Sequence, residues 1–265
     1  MSTMTARSEV GGLLKEWRHR RRMSQLDLAV EADVSPRHLS FVETGRSRPS
    51  RELLLHLAEH LDVPLRDRNT LLLAAGFAPA YRETGLEAGE MAPVRDALEK
   101  ILTSHEPFPA VIVDRHWNLV SGNRPAMAVL TDGVDPELLA PPVNALRVSL
   151  HPRGMAPRVA NLDEWSGHLL HRLRRQHLAT ADPELGRLYD ELRDYPGVVD
   201  PSAVEHDPAA MLFVPLVLRV PEGPDLHFFS TLATFGTAVD ITVAELAIES
   251  FFPADEPTAR ALAAR

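Results

Sequence analysis

Between Gln25 and Arg48 the chain carries side chains suited to reading a nucleic acid: Gln25, Ser35, Arg37, His38, Ser40, Phe41, Arg46 and Arg48. An arginine can donate two parallel hydrogen bonds to O6 and N7 of a guanine, and a histidine can donate to the same edge. That makes Arg37 and His38 the candidates for base contacts. The alternative for both is a backbone phosphate, where most protein–DNA hydrogen bonds go. Phe41 can meet a thymine methyl or pack back into the protein. Upstream lies the run Arg18-His19-Arg20-Arg21-Arg22. Such a run is either a solvated helix face or a set of phosphate contacts.

These side chains need a scaffold, and the local pattern supplies one. Ser24 caps a helix that Gln25 opens. Leu26 and Ala29 are expected on its buried face, three positions apart. Asp33 occupies the turn and tolerates a left-handed backbone. Ser35 caps the next helix, with Pro36 at its first position, where a missing N–H costs nothing. In that helix Leu39 and Val42 point inward, leaving Arg37, His38, Ser40 and Phe41 outside. Two short helices around a tight turn, the second with a polar outer face, describe a helix-turn-helix. A helix over 10–22 precedes the pair. Ser50 caps a fourth carrying Leu53, Leu54, Leu57 and Leu61, and a fifth over about 66–75 closes at Gly76.

Ser24-Gln25, Leu28-Ala29, Val34-Ser35, Leu39-Ser40, Glu43, Gly45 and Pro49 together resemble the xenobiotic-response-element (XRE) class of helix-turn-helix domains, which includes lambda-type phage repressors. Asp33 stands where that class usually has glycine. The resemblance implies a five-helix domain over 1–78. It implies that Gln25 anchors a phosphate, that Arg46 and Arg48 contact phosphates, and that Arg18 pairs with Glu43. It also implies a homodimer on a palindromic double-stranded operator, with recognition helices about 34 Å apart.

The charge distribution fits this division. The formal net charge is −9, yet residues 1–80 hold 12 Lys and Arg against 10 Asp and Glu, and the remainder holds 16 against 27. A basic module joined to an acidic one is expected when only one of them touches phosphates. At 265 residues the chain is long enough for two domains, and 45% hydrophobic with 25% charged residues is a globular composition. No apolar run has transmembrane length and the N-terminus lacks a signal-peptide core, so a cytoplasmic location is expected, with no membrane partner. There is no cysteine, which excludes disulfides, thiolate metal sites and a cysteine nucleophile.

Residues 79–91, with Pro79, Gly85 and Gly89, read as a linker, and Asp96, Leu98, Ile101 and Leu102 as a short helix. From 109 the texture changes. Pro109–Asp114 and Trp117–Val120 read as two strands turning at Arg115-His116. Helices follow: Leu162, Trp165, Leu169 and Leu173 line one face, and Leu185, Leu188 and Leu192 another. Three further strands are expected over 211–220, 226–235 and 245–252, although Thr242 with Glu245 also matches a helical capping box.

The hairpin followed by small helices resembles the opening of a PAS-type sensor domain. Trp117 and Asn123, then Pro142–Arg147, Pro152, Trp165, Leu173-Arg174, Asp182-Pro183 and Leu192-Arg193, resemble the ligand-binding domain of MmyB-like transcription regulators over 92–265. The fold expected is therefore α+β: a five-helix lambda-repressor-like domain, then a PAS-like domain with an antiparallel sheet and added helices. The resemblance implies an apolar pocket able to hold a fatty-acid-like molecule, and no required cofactor. Trp117, Asn123, Leu146, Arg147, Trp165, Leu169, Phe228 and Phe229 are its candidate ligand residues. Core packing is the alternative for the apolar ones. Arg147 can meet an acidic head group or pair with a carboxylate of the protein.

Other chemistries find little footing. His168, His171 and His177 are close in sequence, but no HExxH and no placed third ligand accompany them. There is no GxSxG, P-loop or GxGxxG, and the neighbouring Asp163 and Glu164 do not converge on a helix. An enzyme domain fused to a DNA-binding module, and an antitoxin-like domain that binds a protein, remain the alternative readings of the C-terminal region.

Overall fold

The computed structural model describes residues 2–199, 214–221 and 223–264, with side chains from residue 9 onward. The chain divides into two compact units. The first comprises 1–84 and 237–244, and the second 85–236 and 245–265.

The first unit begins with five helices: α1 (Ser2–Arg20), α2 (Gln25–Glu31), α3 (Pro36–Glu43), α4 (Arg51–His60) and α5 (Leu65–Ala74). Ser24 and Asp27 form a reciprocal cap on α2: Ser24 Oγ accepts from Asp27 N, and Asp27 Oδ2 accepts from Ser24 N. Ser50 Oγ caps α4 by accepting from Leu53 N at 3.1 Å. Asp33 takes the left-handed turn conformation, φ 49°, as its side chain allows. Leu14, Trp17, Leu28, Leu39, Val42, Leu54, Leu57, Leu61, Leu71 and Leu72 fill the core.

One expected core position is corrected. Leu26 is 59% exposed, while Leu28, Ala29 and Ala32 face inward. Positions 28 and 32 stack one turn apart, so the buried stripe of α2 runs through them rather than through 26. The expected linker also differs. Its first residues are built onto α5, because the Asn69 side chain imitates a backbone strand. Asn69 Oδ1 accepts from Ala80 N and Tyr81 N, while Nδ2 donates to Tyr81 O. Arg82 then pairs with Asp240 as an isolated parallel bridge, and Ile241 N donates to Arg82 O at 2.8 Å. A single helical turn, Ile241–Ala244, completes this unit.

The second unit contains α6 (Ala92–Ser104), β1 (Ala110–Val113), β2 (Leu119–Gly122), α7 (Arg124–Thr131), α8 (Ala145–Leu150), α9 (Leu162–Thr180), α10 (Pro183–Arg193), β3 (Leu216–Leu218), β4 (Leu226–Thr234), β5 (Ala247–Pro253) and a closing helix, Glu256–Ala263. The strands form one antiparallel sheet in the order β2-β1-β5-β4-β3. This is the expected α+β, PAS-like arrangement. Strand side chains alternate between faces. Ala110, Ile112 and Ile248 pack with Leu98 and Leu102 of α6 on one face. Val111, Val113 and Phe228 join the larger core formed with α7 to α10 on the other.

Two strand readings are refined. Trp117 lies in the β1–β2 turn with φ 68°, not in β2. The strand expected over 245–252 appears as β5 from Ala247, after the short helical turn at Ile241–Ala244, where Asp240 Oδ1 accepts from Thr242 N at 2.9 Å. The expected strand over 211–220 appears as β3, and its positions 211–213 lie outside the described residues.

Candidate functional site

In the first unit, α3 is held from below by a buried ion pair. Arg18 Nε donates to Glu43 Oε1 at 2.7 Å and Nη2 to Oε2 at 2.8 Å, with side-chain exposures of 6% and 1%. Burial alone would raise the Glu43 carboxyl. Hydrogen bonds from Arg18 and Gln25, with the Arg18 charge, outweigh burial and hold it below the usual carboxylate value. The Glu43 hydrogen bond in turn raises the Arg18 guanidinium. Gln25 reaches this pair through Nε2, 2.7 Å from Glu43 Oε2. Gln25, expected at a phosphate, thus gives one of its two amide hydrogens to the carboxylate that ends α3.

Above the pair, Arg37 and His38 are exposed on the first turn of α3. The Phe41 ring is half-buried, with the Arg37 guanidinium 5.3 Å and the Arg46 guanidinium 6.0 Å from its centroid. The ring is a shelf on which two cations rest, an attraction worth about 0.5–1 kcal/mol each when exposed. Ser35 stands at the cap position of α3 but makes no capping hydrogen bond through its side chain, contrary to the expected cap. Ser40 is half-buried on the same helix, and its carbonyl accepts from Thr44 Oγ1 at 2.7 Å.

Two other expected cations also make contacts within the fold. Arg48 Nη2 donates to Ala75 O at 3.0 Å, and its guanidinium lies 5.4 Å over the Phe77 ring, so it fastens the end of α5. Arg21 donates to the carbonyls of Leu61 and Asp62 and fastens the end of α4. Helix C-termini leave carbonyls without partners, and a guanidinium satisfies them well. Exposed positions in the basic run are His19 and Arg22.

In the second unit an apolar cavity of about 60 Å³ lies between the sheet and the helices. Ala126, Val129 and Leu130 of α7 line one side. Ala145, Leu146 and Ser149 of α8, with Trp165 and Leu169 of α9, line another. The sheet contributes Val111, Leu216, Leu218, Phe228, Glu249 and Phe251. The space is narrow. A second apolar space, about 240 Å³, is bounded by Leu119, Met127, Leu139, Val143 and Val148, and Leu130 and Ala145 belong to both walls.

The structure brings Leu146, Trp165, Leu169 and Phe228 together around the first space. It puts the other candidates elsewhere. Arg147 is paired bidentately with Glu191, Nε to Oε1 at 2.8 Å and Nη2 to Oε2 at 2.7 Å. Its hydrogen bond holds the Glu191 carboxyl low, while burial and Glu191 push the Tyr195 phenol up. Phe229, next to Phe228 on β4, faces the opposite side of the sheet and stacks on Phe252 at 5.1 Å. Asn123 is buried and spends all its capacity on backbone, taking Ala110 N and Ala126 N and giving to Leu102 O and Phe108 O. Trp117 Nε1 donates to Gln176 Oε1 at 2.8 Å, and its ring carries Arg172 at 4.4 Å.

Sequence reasoning missed Glu249. It sits on β5 in register with Val111 and Leu232, on the cavity face, and receives Arg172 Nη2 at 3.0 and 3.1 Å. An acid among inward-facing strand positions was the available signal. His168 stacks on Trp165 at 5.7 Å, and burial followed by the Arg172 charge lowers its pKa. Among the described residues no three metal-binding side chains converge, and no helix is long and apolar enough to cross a membrane.

Residues 94–264 match the ligand-binding domain of MmyB-like transcription regulators. The chain belongs to this family. Residues 9–71 match a helix-turn-helix domain, so this MmyB-like protein is a DNA-binding transcription regulator with a ligand-binding domain. Among solved structures, the clp gene regulator ClgR from C. glutamicum is 31% identical, over 27% of this chain and 88% of that one, with a TM-score of 0.24. A second ClgR structure, from Corynebacterium glutamicum, is 27% identical over 38% and 95%, also at 0.24. An RNA-binding light-oxygen-voltage receptor is 14% identical over 98% and 65%, at 0.26. At these TM-scores none of the three bears on the fold, and the assignment rests on the family matches. A search of curated proteins found no match.

Proposed function

We propose that this MmyB-like regulator binds a specific palindromic operator as a homodimer in the cytoplasm, and that a small apolar ligand in its cavity sets its affinity for DNA. Arg37 and His38 read base edges. Arg46, with the exposed part of the 18–22 run, neutralises phosphates. The observation that carries the reading is the pairing, in one chain, of exposed Arg37 and Arg46 over the half-buried Phe41 of a helix-turn-helix with an apolar cavity in the family's ligand-binding domain. A ligand shifts DNA affinity only if it binds the DNA-competent and DNA-incompetent states differently.

Selection of bound duplexes from a random pool tests the first half. Two inverted half-sites about one helical turn apart are expected. Fluorescence anisotropy on the selected duplex, with and without medium-chain apolar compounds including fatty acids, tests the second. No enriched sequence, or an affinity indifferent to every compound that binds the protein, would sink the proposal.

A further inference from the structure

We infer that the cavity selects a neutral apolar molecule bearing a hydroxyl group, and that Glu249 receives that hydroxyl as hydrogen-bond acceptor. The inference rests on reading this cavity as the ligand site.

Glu249 is the one ionisable side chain described in the cavity wall, and its side chain is 8% exposed. A buried carboxylate persists only with a partner. Here the partner is Arg172, which gives Nη2 to both oxygens and stacks on Trp117, and which is not part of the wall. Ser230 Oγ adds a hydrogen bond to Oε1 at 3.0 Å. Oε1 therefore holds two donors and Oε2 one. A carboxylate offers about four acceptor sites, so Oε2 has room for a further donor.

Charge balance decides which donor fits. Glu249 and Arg172 sum to zero. A fatty-acid carboxylate would bring a second negative charge beside Glu249, and no Lys, Arg or His is described in the wall to meet it. An alkylammonium would find Glu249 but leave an uncompensated positive charge in a space with too few acceptors for its three N–H groups. Both carry a desolvation cost that no new pairing offsets. A hydroxyl needs one acceptor and adds no charge. Ser149 is the other polar wall side chain. Its oxygen accepts from Trp165 Nε1 at 3.1 Å, and among the described residues its hydroxyl hydrogen has no acceptor, so it can donate to a ligand oxygen. The remaining wall is hydrocarbon.

The test uses the full chain and three probes of equal length: decanol, decanoate and decylamine, each displacing Nile red below its micellar concentration. Decanol is expected to bind about tenfold or more tightly than either ion. Glu249→Gln leaves Arg172 unopposed and should turn the preference towards decanoate, whereas Arg172→Gln leaves Glu249 unopposed and should turn it towards decylamine. A role confined to folding would move stability without reversing preference. If a variant does not fold, the wild-type ranking still decides. Decanoate or decylamine binding as tightly as decanol to the wild type overturns the inference and leaves the cavity as a ligand site. Failure of all three to displace the dye, together with no change in melting temperature, overturns the ligand-site reading itself.

Discussion

Gly11 of α1 lies directly against the backbone of Glu43 at the end of α3. A Cβ at position 11 would stand 2.5 Å from the Glu43 carbonyl oxygen and 2.6 Å from that of Val42. Backbone carbonyls cannot rotate away as a side chain would, so the two helices would have to separate. Gly11→Ala should therefore destabilise the first unit by about 1–3 kcal/mol, as overpacking does, and weaken operator binding by tilting α3. Urea unfolding followed by anisotropy reads both effects. Unchanged stability would mean that the helices do not cross this closely in solution.

The Arg18–Glu43 pair makes a prediction with a pH sign. The folded Glu43 carboxyl titrates below the unfolded value of about 4.3. The contribution of the pair is thus complete above that pH and fades as the pH falls through the lower folded value. Removing one partner of a buried pair costs about 3–5 kcal/mol, so Glu43→Ala should loosen the unit and abolish DNA binding. A charge-only account predicts tighter binding, because a negative charge near DNA is lost. Glu43→Gln should also flatten the loss of stability between about pH 5 and 3. A folded Glu43→Ala variant with higher operator affinity would show that the pair is not structural.

These two residues also mark how far the sequence could be read. Arg18 and Glu43 were legible because they match positions that pair in the helix-turn-helix class this stretch resembles, and the hairpin was legible from a short run of apolar β-branched residues and the turn after it. Arg147 was not, because an arginine beside apolar positions looks the same whether its partner is a ligand or Glu191, forty-four positions away. Phe229 and Phe228 differ by one residue, and in a strand one residue changes the face. Nothing local revealed which of them faced the cavity. Asn69 and residues 80–81 were read as helix and linker, since composition carries no sign that an amide will stand in for a strand. The polar anchor of the cavity, Glu249, was hidden by its type: acids are expected outside, and its counterion lies on another element.

Phe41 ties recognition to pre-organisation. Arg37→Ala should weaken operator binding by about 1–3 kcal/mol and relax preference at one position per half-site. Phe41→Ala leaves both arginines in place but removes the surface on which they rest. It should lower operator affinity less than Arg37→Ala and leave the slope of affinity against salt unchanged, because no phosphate contact is lost. Arg46→Ala should reduce that slope by about one contact. An equal loss for Arg37→Ala on operator and random duplexes would reassign Arg37 to phosphate.

Leu130 stands between the two apolar spaces, and Ala145 is its small neighbour in both walls. Leu130→Ala should join them. The stability cost is expected at or below the low end of the 2–5 kcal/mol typical of buried leucine truncations, because Leu130 is only partly buried. The gain should appear as tighter binding of longer or branched apolar ligands, with little change for short ones. Displacement titrations across a chain-length series on wild type and variant check this. Parallel affinity curves would mean that the second space is not continuous with the first after truncation.

Residues 237–244 leave the sheet at the end of β4, fold as part of the first unit, and return as β5, the strand that carries Glu249 into the cavity wall. Asp240 holds this excursion in place. Its carboxylate accepts from Thr84 N, 3.2 Å from Oδ2, and from Thr242 N, 2.9 Å from Oδ1. If the cavity takes a ligand that displaces β5, the chain connects β5 directly to residues that belong to the DNA-binding unit. Asp240→Ala removes both hydrogen bonds, each worth about 1.5–3 kcal/mol as a bond to a charged acceptor. Amide exchange at Thr84 and Thr242 should accelerate. Ligand affinity, measured by dye displacement, should stay within about twofold, since position 240 is not part of the cavity wall. The effect of ligand on operator affinity should shrink, because coupling free energy needs an element that both sites bias. If Asp240→Ala exchanged faster at these amides yet kept the full ligand effect on DNA binding, this segment would not be the route by which the cavity reaches α3.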